Sequence, residues 1–211
     1  MFRAATTSAH DPGLALDPEP VAELVDHRPG ARSAAQDARL VKLVHAQYDN
    51  VWRALRRLGV PEAAADDASQ EVFIVAARKL TVIEPERERQ YLYGIAVRVA
   101  ANARRACAAR REQFDEHALL AMPSVIPESD ALLEEKQARV LFDQVLDAMP
   151  EDLRTAFVLF EIEGFALREL SELLEIPLGT VSSRLRRARE AFHEAAQRAK
   201  RVWLKTGGPH V

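Results

Sequence analysis

Apolar residues recur at spacings of three and four from Gln36 onward, whereas residues 1–35 show no such period. A stripe with this period is typical of one face of an amphipathic helix. Gly59 and Pro61 end the first stretch, because glycine suits a helix C-terminus and proline suits the first turn of the next helix. The stripe consists of Leu40, Val44, Tyr48, Val51, Trp52, Leu55 and Leu58.

Two further helices are predicted before residue 112. The stretch PEAAADDASQEVFIVAARKL has its acids first and its bases last, the order that the helix dipole favours. A loop at residues 81–88 separates it from RQYLYGIAVRVAANARRACAARR, because Pro85 disfavours helix at the preceding residue. Three helices with matching stripes predict one domain over residues 36–111. The predicted core residues of the second and third helices are Val72, Phe73, Val75, Ala76, Leu80, Leu92, Ile95, Ala96, Val99 and Ala103.

The period is lost over residues 112–132, which are acidic and carry Pro123 and Pro127, so a flexible linker is predicted there. It resumes over residues 133–197, in LLEEKQARVLFDQVLDAM, PEDLRTAFVLFEIE, ALRELSELLEI and PLGTVSSRLRRAREAFHEAAQ. Ala, Leu, Arg and Glu dominate the composition, and all are good helix formers. We therefore expect an all-α fold of two small helical domains, a three-helix domain and a helix-turn-helix domain, joined by the acidic linker.

The two ends of the chain and its single cysteine indicate the cellular compartment in which the protein is expected. Residues 1–35 hold four prolines, which predicts a disordered leader with or without a regulatory role, and residues 198–211 are predicted to form a C-terminal tail. No apolar run approaches the ~18 residues that span a bilayer, and the N-terminus lacks the apolar core of a signal peptide. Cys107 is the only cysteine and is expected to be a packed thiol in a reducing compartment. We expect a cytoplasmic protein without membrane insertion.

The net charge of −3 conceals a segregated layout. Residues 98–111 hold five arginines and no acid, and residues 112–135 hold seven acids and no lysine or arginine. Residues 184–201 then hold seven bases against two acids. Blocks of one sign predict separate surfaces for a polyanion, with an acidic connector between them.

A helix ending near Leu174, a four-residue turn and a further helix form a predicted helix-turn-helix. Val181, Leu185, Ala188 and Phe192 fall on the buried side of the last helix. On the outward side, short hydroxyl side chains come first and arginines follow. This order suits a helix in the major groove of DNA, because residues at the start of such a helix contact base edges while arginines bind phosphates. The candidate DNA-binding residues are Thr180, Ser182, Ser183, Arg184, Arg186 and Arg187.

The alternative for this segment is a solvated basic helix without a ligand. The helix-turn-helix spacing and the hydroxyl cluster, which has no evident packing use, both favour DNA binding. Glu175 stands at the turn position where glycine is common. If its backbone is left-handed, the cost is about 1–2 kcal/mol, which a folded domain tolerates.

Two more surfaces are predicted in the first domain. On the third helix Tyr91 and Tyr93 stand near positive charge, a combination that suits unpaired bases, although packing alone is the alternative. These tyrosines point roughly 200° apart, so one is expected to be buried and the other exposed.

The second helix has acids that suit a basic protein partner, or that merely compensate the helix dipole. These acids are Glu62, Asp66, Asp67 and Glu71.

Several motifs together resemble a known family. ADDASQEVFIVAARKL and RQYLYGIAVRVAANARR resemble successive helices of region 2 of bacterial RNA polymerase sigma factors. MPEDLRTAFVLFEIEGFALRELSELLEIPLGTVSSRLRRAREAF resembles their region 4. With only these two domains and a short linker, the chain is similar to the extracytoplasmic-function group over residues 36–196. Two motifs in the right order and at the right distance are more specific than either alone.

The resemblance implies a role for each surface. The second helix matches the one that docks on the clamp coiled coil of the largest polymerase subunit, and residues 81–88 match the part that holds a flipped base of the minus-ten element. The family usually has Trp, Asn and Asp at positions 91, 98 and 102, so no minus-ten sequence preference is implied. The implied polymerase-binding residues are Asp67, Gln70, Glu71 and Phe73. The implied minus-ten residues are Tyr91, Arg98, Asn102, Arg104 and Arg105. The implied minus-thirty-five residues are Thr180, Ser182, Ser183, Arg184, Arg186 and Arg187 of the last helix.

On this resemblance we expect a sigma factor that binds core RNA polymerase and promoter DNA and directs promoter recognition, DNA melting and transcription initiation. An anti-sigma factor, the leader or the tail are candidate inhibitors. No enzyme activity and no cofactor are expected, because the six histidines are scattered and no metal-ligand cluster or phosphate-binding glycine loop stands in the sequence. Two alternatives stay open: a polymerase-independent helix-turn-helix DNA-binding regulator, and a protein-binding scaffold or an enzyme of unrecognised type.

Overall fold

The computed structural model describes residues 33–80, 82–113 and 130–206, and its regular structure over these ranges is helical. The predicted all-α fold is confirmed. A short 3₁₀ helix, Pro85–Arg87, precedes the third α-helix, and a π-helical segment, Val158–Ile162, continues the fifth. Within the described ranges the seven α-helices are α1 (Ala34–Arg57), α2 (Glu62–Lys79), α3 (Glu88–Gln113), α4 (Asp130–Asp147), α5 (Glu151–Phe157), α6 (Leu167–Leu173) and α7 (Leu178–Thr206).

The described residues leave out most of the predicted leader, most of the predicted linker and the last five residues, so these predictions lie outside the structure. Helix α7 continues to Thr206, nine residues beyond the predicted end of the second domain. The boundaries of the two domains remain predictions from sequence pattern. No helix of the described residues combines the length and the apolar character that crossing a membrane requires.

Local sequence signals account for the helix ends. The Ser33 hydroxyl accepts from the Gln36 N–H, and the Ser33 N–H donates to Oε1 of Gln36, which is a capping box at the start of α1. Gly59 follows the end of α1 with φ of 93°, a left-handed conformation that costs glycine little. Pro61 directly precedes α2, where its missing N–H would have no helical partner.

The helices α1, α2 and α3 pack together in the N-terminal half of the structure. Nine of the ten predicted core residues of α2 and α3 are buried, and Ala103 is partly buried. Arg39 adds a polar tie between the start of α1 and the α2–α3 connection. Its guanidinium donates to the carbonyls of Leu80 and Ile83 and pairs with Glu88 at 2.6 Å. Residues 82–87 of the predicted loop, which include the 3₁₀ helix, are therefore held on α1, and Glu88 already belongs to α3.

The helices α4 to α7 form the C-terminal half. Phe157 of α5 stacks on Phe192 of α7 with ring centroids 4.5 Å apart, and Phe142 of α4 contacts the same ring edge-on at 6.0 Å. Leu170 of α6 is fully buried against this group of helices. The two halves share one continuous cluster of buried side chains, so α3 also packs on α6.

Candidate nucleic-acid and protein interfaces

The predicted helix-turn-helix is present as α6, the four residues 174–177 and α7. The turn is closed by reciprocal contacts: the Ile176 N–H donates to the Ser171 carbonyl at 3.1 Å, and the Ser171 hydroxyl donates to the Ile176 carbonyl at 2.6 Å. Leu174 and Ile176 are buried and anchor the turn. At the start of α7 the Thr180 and Val181 N–H groups already donate to the Pro177 carbonyl. These contacts fix the angle at which α7 leaves the core.

Glu175 adopts the left-handed conformation that the sequence analysis considered, with φ of 56°. It is the one non-glycine residue with positive φ among those described. The conformation lets its neighbours Leu174 and Ile176 both reach the core while the Glu175 side chain stays exposed. The left-handed backbone of Glu175 costs roughly 1–2 kcal/mol, and this strain accompanies the compact geometry of the turn.

The outer face of α7 carries most of the predicted minus-thirty-five residues. Ser182 and Ser183 are exposed, and their hydroxyls donate to carbonyls of the preceding turn. Arg187 is exposed and makes no ion pair with another described residue, whereas Arg186 pairs with Glu190 at 2.8 Å. Thr180 at the helix start is half-buried. Short donors thus come before charged side chains along one exposed face.

Arg184 is the exception on this face. It was predicted to face outward, but its side chain is only 20% exposed and its Nε lies 3.8 Å from Oδ2 of Asp152. The position borders the buried stripe, because it lies three residues after the buried Val181 and four residues before the buried Ala188. Arg184 therefore links α7 to α5, and a direct DNA contact from it would require this pair to break.

The predicted minus-ten residues lie along α3, but they differ in exposure. Tyr93 is buried, as was expected of one of the two tyrosines, whereas Tyr91 is half-buried against the core and not exposed. Arg98 is two-thirds exposed and pairs through Nη2 with Oε1 of Glu175 at 2.8 Å. Arg105 is exposed and donates to the half-buried Asn102.

Arg104 was predicted to lie on the open DNA-binding surface of α3, but it does not. Its side chain is 17% exposed, and it donates to the Leu58 carbonyl and to Glu151 at the start of α5. Its Nε is buried without a hydrogen-bond partner. The guanidinium instead bridges the two halves of the structure.

An open cleft of about 660 Å³ lies where the α2–α3 loop, α3 and α6 meet. Tyr91 and Ile83 supply apolar wall, and Arg98 supplies positive charge. Glu172 and Glu175 line the side formed by α6 and its turn. The loop side of this cleft coincides with the segment that the resemblance assigns to a flipped base. An aromatic ring beside a cation is the arrangement that stacks a base and holds its backbone.

The acidic face of α2 carries three of the four predicted polymerase-binding residues. Asp67 and Gln70 are exposed and Glu71 is half-exposed. Ile74 shares this face and is 54% exposed, which sequence reasoning missed. The available signal was that Ile74 is an apolar residue that falls outside the predicted core set of α2.

Phe73 was predicted both as a core residue of α2 and as a polymerase contact, and the structure confirms only the core position. Its side chain is buried and stacks on Tyr48 of α1 with ring centroids 5.9 Å apart. It therefore positions α2 and does not offer surface to a partner. Asp66, one of the acids on this helix, accepts from the indole N–H of Trp52 at 2.9 Å and so also serves the packing of α2 on α1.

A polar junction around Glu163 was not foreseen. Glu163 follows the π-helical segment, and its carboxylate accepts from Arg57 at 3.1 Å and from the Tyr93 hydroxyl. Burial, with the neighbouring carboxylate, raises the pKa of the Tyr93 phenol, so the hydroxyl stays protonated and donates. Arg89 donates to the Glu163 carbonyl and lies over the Phe165 ring, 4.1 Å from its centroid. These residues join α1 and α3 to the segment before α6.

No group of three or more histidine, cysteine, aspartate or glutamate side chains that could hold a metal ion occurs among the described residues. Cys107 is a free thiol and is half-buried.

Comparison with known proteins adds to this geometry. Residues 139–192 match the family model described as Sigma-70, region 4. The chain is 30% identical over 170 residues to the ECF RNA polymerase sigma-E factor of Escherichia coli (strain K12), which covers 76% of this chain and 88% of that protein. It is 37% identical over 145 residues to the RNA polymerase sigma-H factor of Pseudomonas aeruginosa, which covers 63% of this chain and 73% of that protein.

Two solved structures have a similar fold. One is CnrH in complex with the cytosolic domain of CnrY, with a TM-score of 0.53 and 22% identity over 75% of this chain and 87% of that chain. The other is the sigma factor RpoE in complex with the anti-sigma factor NepR from Bartonella quintana, with a TM-score of 0.56 and 19% identity over 73% and 94%. At these identities the likeness concerns the helical fold.

Proposed function

Because this chain belongs to the extracytoplasmic-function group of RNA polymerase sigma factors, we propose that it directs core polymerase to promoters through three surfaces of its own. The observation that carries this proposal is the outer face of α7, where Ser182, Ser183 and Arg187 are exposed on a helix-turn-helix whose inner side is buried. The surfaces are the recognition face of α7, the minus-ten surface of α3 with its cleft, and the acidic face of α2.

The recognition face of α7 reads the intact minus-thirty-five duplex. Its N-terminal hydroxyls are short enough for the helix to enter the major groove, where they exchange their intrahelical carbonyl for a base edge. Arg186 and Arg187 follow one turn later and hold phosphates. Gly179 has open space around the position of its missing Cβ, so the backbone there can approach the duplex closely.

The minus-ten surface of α3 captures an unstacked base of the melted strand. Tyr91 offers a half-buried ring at the cleft, and Arg98 and Arg105 offer charge to the backbone of the strand. Unstacking costs a few kcal/mol per step, and base stacking on the protein returns about 1–3 kcal/mol per base. The opening of the duplex is thus driven by binding energy, and the chain needs no catalytic residue of its own.

The acidic face of α2 binds the polymerase. Asp67, Gln70 and Glu71 suit a basic helical partner, and the exposed Ile74 adds apolar contact one turn further along the same face. This work takes place in the cytoplasm, beside the polymerase. The same exposed faces offer a docking surface to an inhibitory anti-sigma protein, a class of partner seen with RpoE of Bartonella quintana.

A charge reversal on α2 tests the polymerase contact. Asp67→Arg places a cation against a basic partner, so the affinity for purified core polymerase should fall about tenfold or more, equivalent to about 1.4 kcal/mol. Asp49→Arg is the matched control, since Asp49 is an exposed acid on α1 and outside this face. Affinity is measured by fluorescence anisotropy of the labelled full-length protein.

Start-site mapping tests the function as a whole. Core polymerase with this protein should initiate at discrete sites on a library of genomic fragments, and core polymerase alone should not. Binding of duplex DNA by the protein without any complex with core polymerase would favour the polymerase-independent regulator instead.

A further inference from the structure

We propose that Leu178 is a specificity-determining residue of the recognition face of α7, and that its side chain packs on the 5-methyl group of a thymine in the major groove. This inference rests on the proposed function and deepens it, because it names a base that the minus-thirty-five element contains. Leu178 was not among the residues that the sequence predicted for this face, all of which carry a hydroxyl or a guanidinium.

Leu178 is an apolar side chain without a place in the core. It is the first residue of α7 and is 50% exposed. It lies outside the cluster of buried and partly buried apolar side chains that joins the helices. Single exposed apolar residues are common on protein surfaces, so the meaning of this one depends on where it stands on its helix.

The start of α7 does not need Leu178 for its own stability. The N–H groups of Thr180 and Val181 both donate to the Pro177 carbonyl, so Pro177 occupies the cap position. In the hydrophobic staple that often fixes a helix start, one apolar residue directly precedes the cap and the other follows it by four positions. Ile176 and Val181 stand at these two positions, and both are buried. The Leu178 side chain is therefore left for a contact outside the domain.

Leu178 is continuous with the residues that the proposed function places on DNA. Positions four apart are neighbours on a helix, and Leu178, Ser182 and Arg186 follow one another at this spacing. The Ser182 hydroxyl donates to the Leu178 carbonyl at 3.1 Å, so these two residues are stacked one turn apart. Gly179 beside them has open space where a Cβ would stand, and no bulky neighbour at that position shields the leucine. The stripe thus runs from apolar through hydroxyl to cation.

The order of this stripe places the leucine on the bases. Residues at the start of a recognition helix contact base edges, whereas the arginines further along bind phosphates. Arg186 lies eight residues after Leu178, which is about 12 Å along the helix axis. The leucine is therefore at the end of the stripe that enters the groove.

The major groove offers a leucine one distinctive apolar partner. Guanine, adenine and cytosine present hydrogen-bond donors and acceptors at this edge, whereas thymine adds its 5-methyl group. A leucine over a polar edge removes water from donors and acceptors without replacing their hydrogen bonds, which is unfavourable. Over the methyl group, two apolar surfaces leave water together. Leu178 therefore favours a T·A pair over a G·C pair at one fixed position of the element.

Contact with a deoxyribose is the alternative for the same side chain. Sugars also present carbon atoms to a protein, but every nucleotide carries one, so such a contact has no base preference. The two contacts differ in one measurable respect: only the methyl contact depends on which base stands opposite Leu178.

Deoxyuridine tests the methyl contact, because uracil keeps the donor and acceptor pattern of thymine and lacks only the methyl group. Each thymine of a mapped minus-thirty-five element is replaced by deoxyuridine in turn, on either strand, in a labelled promoter fragment. The affinity of core polymerase carrying the full-length protein is measured by competition with the unmodified fragment. One replacement should lower the affinity about fourfold, the loss expected for one buried methyl group. At that same position, 5-methylcytosine should bind more tightly than cytosine by a similar factor.

Three variants assign the effect to the side chain. Leu178→Ala should bind the thymine and deoxyuridine fragments equally, because its side chain no longer reaches the methyl group. Leu178→Met keeps an apolar side chain of similar length and should retain a difference of about twofold or more. Val202→Ala is the matched control, since Val202 is 61% exposed and lies 24 residues further along α7, about 36 Å away. It should show the same fourfold difference as the parent protein.

Each outcome decides the proposal. Deoxyuridine fragments that all bind like the unmodified one would overturn it, and so would a deoxyuridine effect that persists in the Leu178→Ala protein. Loss of affinity in Leu178→Ala by an equal factor for thymine and deoxyuridine fragments would show a sugar contact in its place. Start-site selection is measured in the same reactions. Discrete initiation without any deoxyuridine effect contradicts the methyl contact alone, whereas absence of initiation contradicts the sigma-factor role and the assignment of Leu178 with it.

Discussion

At the scale of single residues, Glu175 and Gly59 show how backbone conformation limits side-chain choice. Both have positive φ, 56° for Glu175 and 93° for Gly59. A Cβ on Gly59 would overlap the guanidinium of Arg154, so glycine there serves both the helix end and the close approach of α5. Glu175 has no such crowding and keeps a side chain, which then pairs with Arg98.

Substitutions at Glu175 should separate backbone strain from charge. Asparagine tolerates the left-handed conformation and valine does not. The free energy of unfolding of the Glu175→Asn protein should therefore be about 1 kcal/mol or more above that of the Glu175→Val protein. The value for the Glu175→Ala protein should lie between the two. All three variants lose the Arg98 pair equally, so their order reports the backbone alone. Urea denaturation followed by circular dichroism measures it, and equal midpoints with equal slopes would contradict the strain.

At the scale of elements, the positions of the helices follow from the period of the apolar residues, but the π-helical segment at the end of α5 does not. The π-helical segment Val158–Ile162 lies inside a stretch that the pattern predicts as ordinary helix. It ends in a backbone bond from the Glu163 N–H to the Val158 carbonyl at 2.9 Å. The wider turn precedes the residue that joins the two halves, and the apolar pattern gave no signal of it, since Val158 and Leu159 are buried as in a regular helix.

The recognition helix α7 permits a matched test of DNA binding within one element. Arg187→Ala should lower the affinity for the mapped promoter duplex about tenfold and reduce the slope of log affinity against log salt by about one, because one phosphate contact is lost. Arg201→Ala removes the same charge 14 residues further along α7, about 21 Å away, and should change neither quantity appreciably. Equal effects of both substitutions would indicate nonspecific attraction by a basic helix.

At the scale of the whole molecule, the junction at Glu163 makes the two halves one structure. Arg57 and Tyr93 reach it from helices 106 and 70 residues earlier in the chain. The shared cluster of buried side chains runs through the same region, where Tyr93 packs edge-on against Phe165 at 5.0 Å. The stability of the protein should therefore depend on this junction more than on any exposed ion pair.

Glu163→Gln should lower the free energy of unfolding by about 1–2 kcal/mol, because Arg57 loses its charged partner and the short donor contact from Tyr93 weakens. Glu190→Gln removes a charge from an exposed pair within α7 and should stay within about 0.5 kcal/mol of the parent protein. Thermal and urea denaturation of full-length protein measure both. A Glu163→Gln protein as stable as the Glu190→Gln protein would contradict a structural role for the junction.

The amino-acid sequence by itself determined the helices, their buried faces and the helix-turn-helix, because these depend on contacts within a few residues and on the 3.6-residue period of the α-helix. It also placed the candidate DNA and polymerase residues on their helices. Only the tertiary structure decided that Arg184 pairs with Asp152 and that Arg98 and Arg104 contact the C-terminal half. Those outcomes depend on pairs of side chains far apart in the chain, and no local pattern of apolar and polar residues encodes which distant partner a side chain meets.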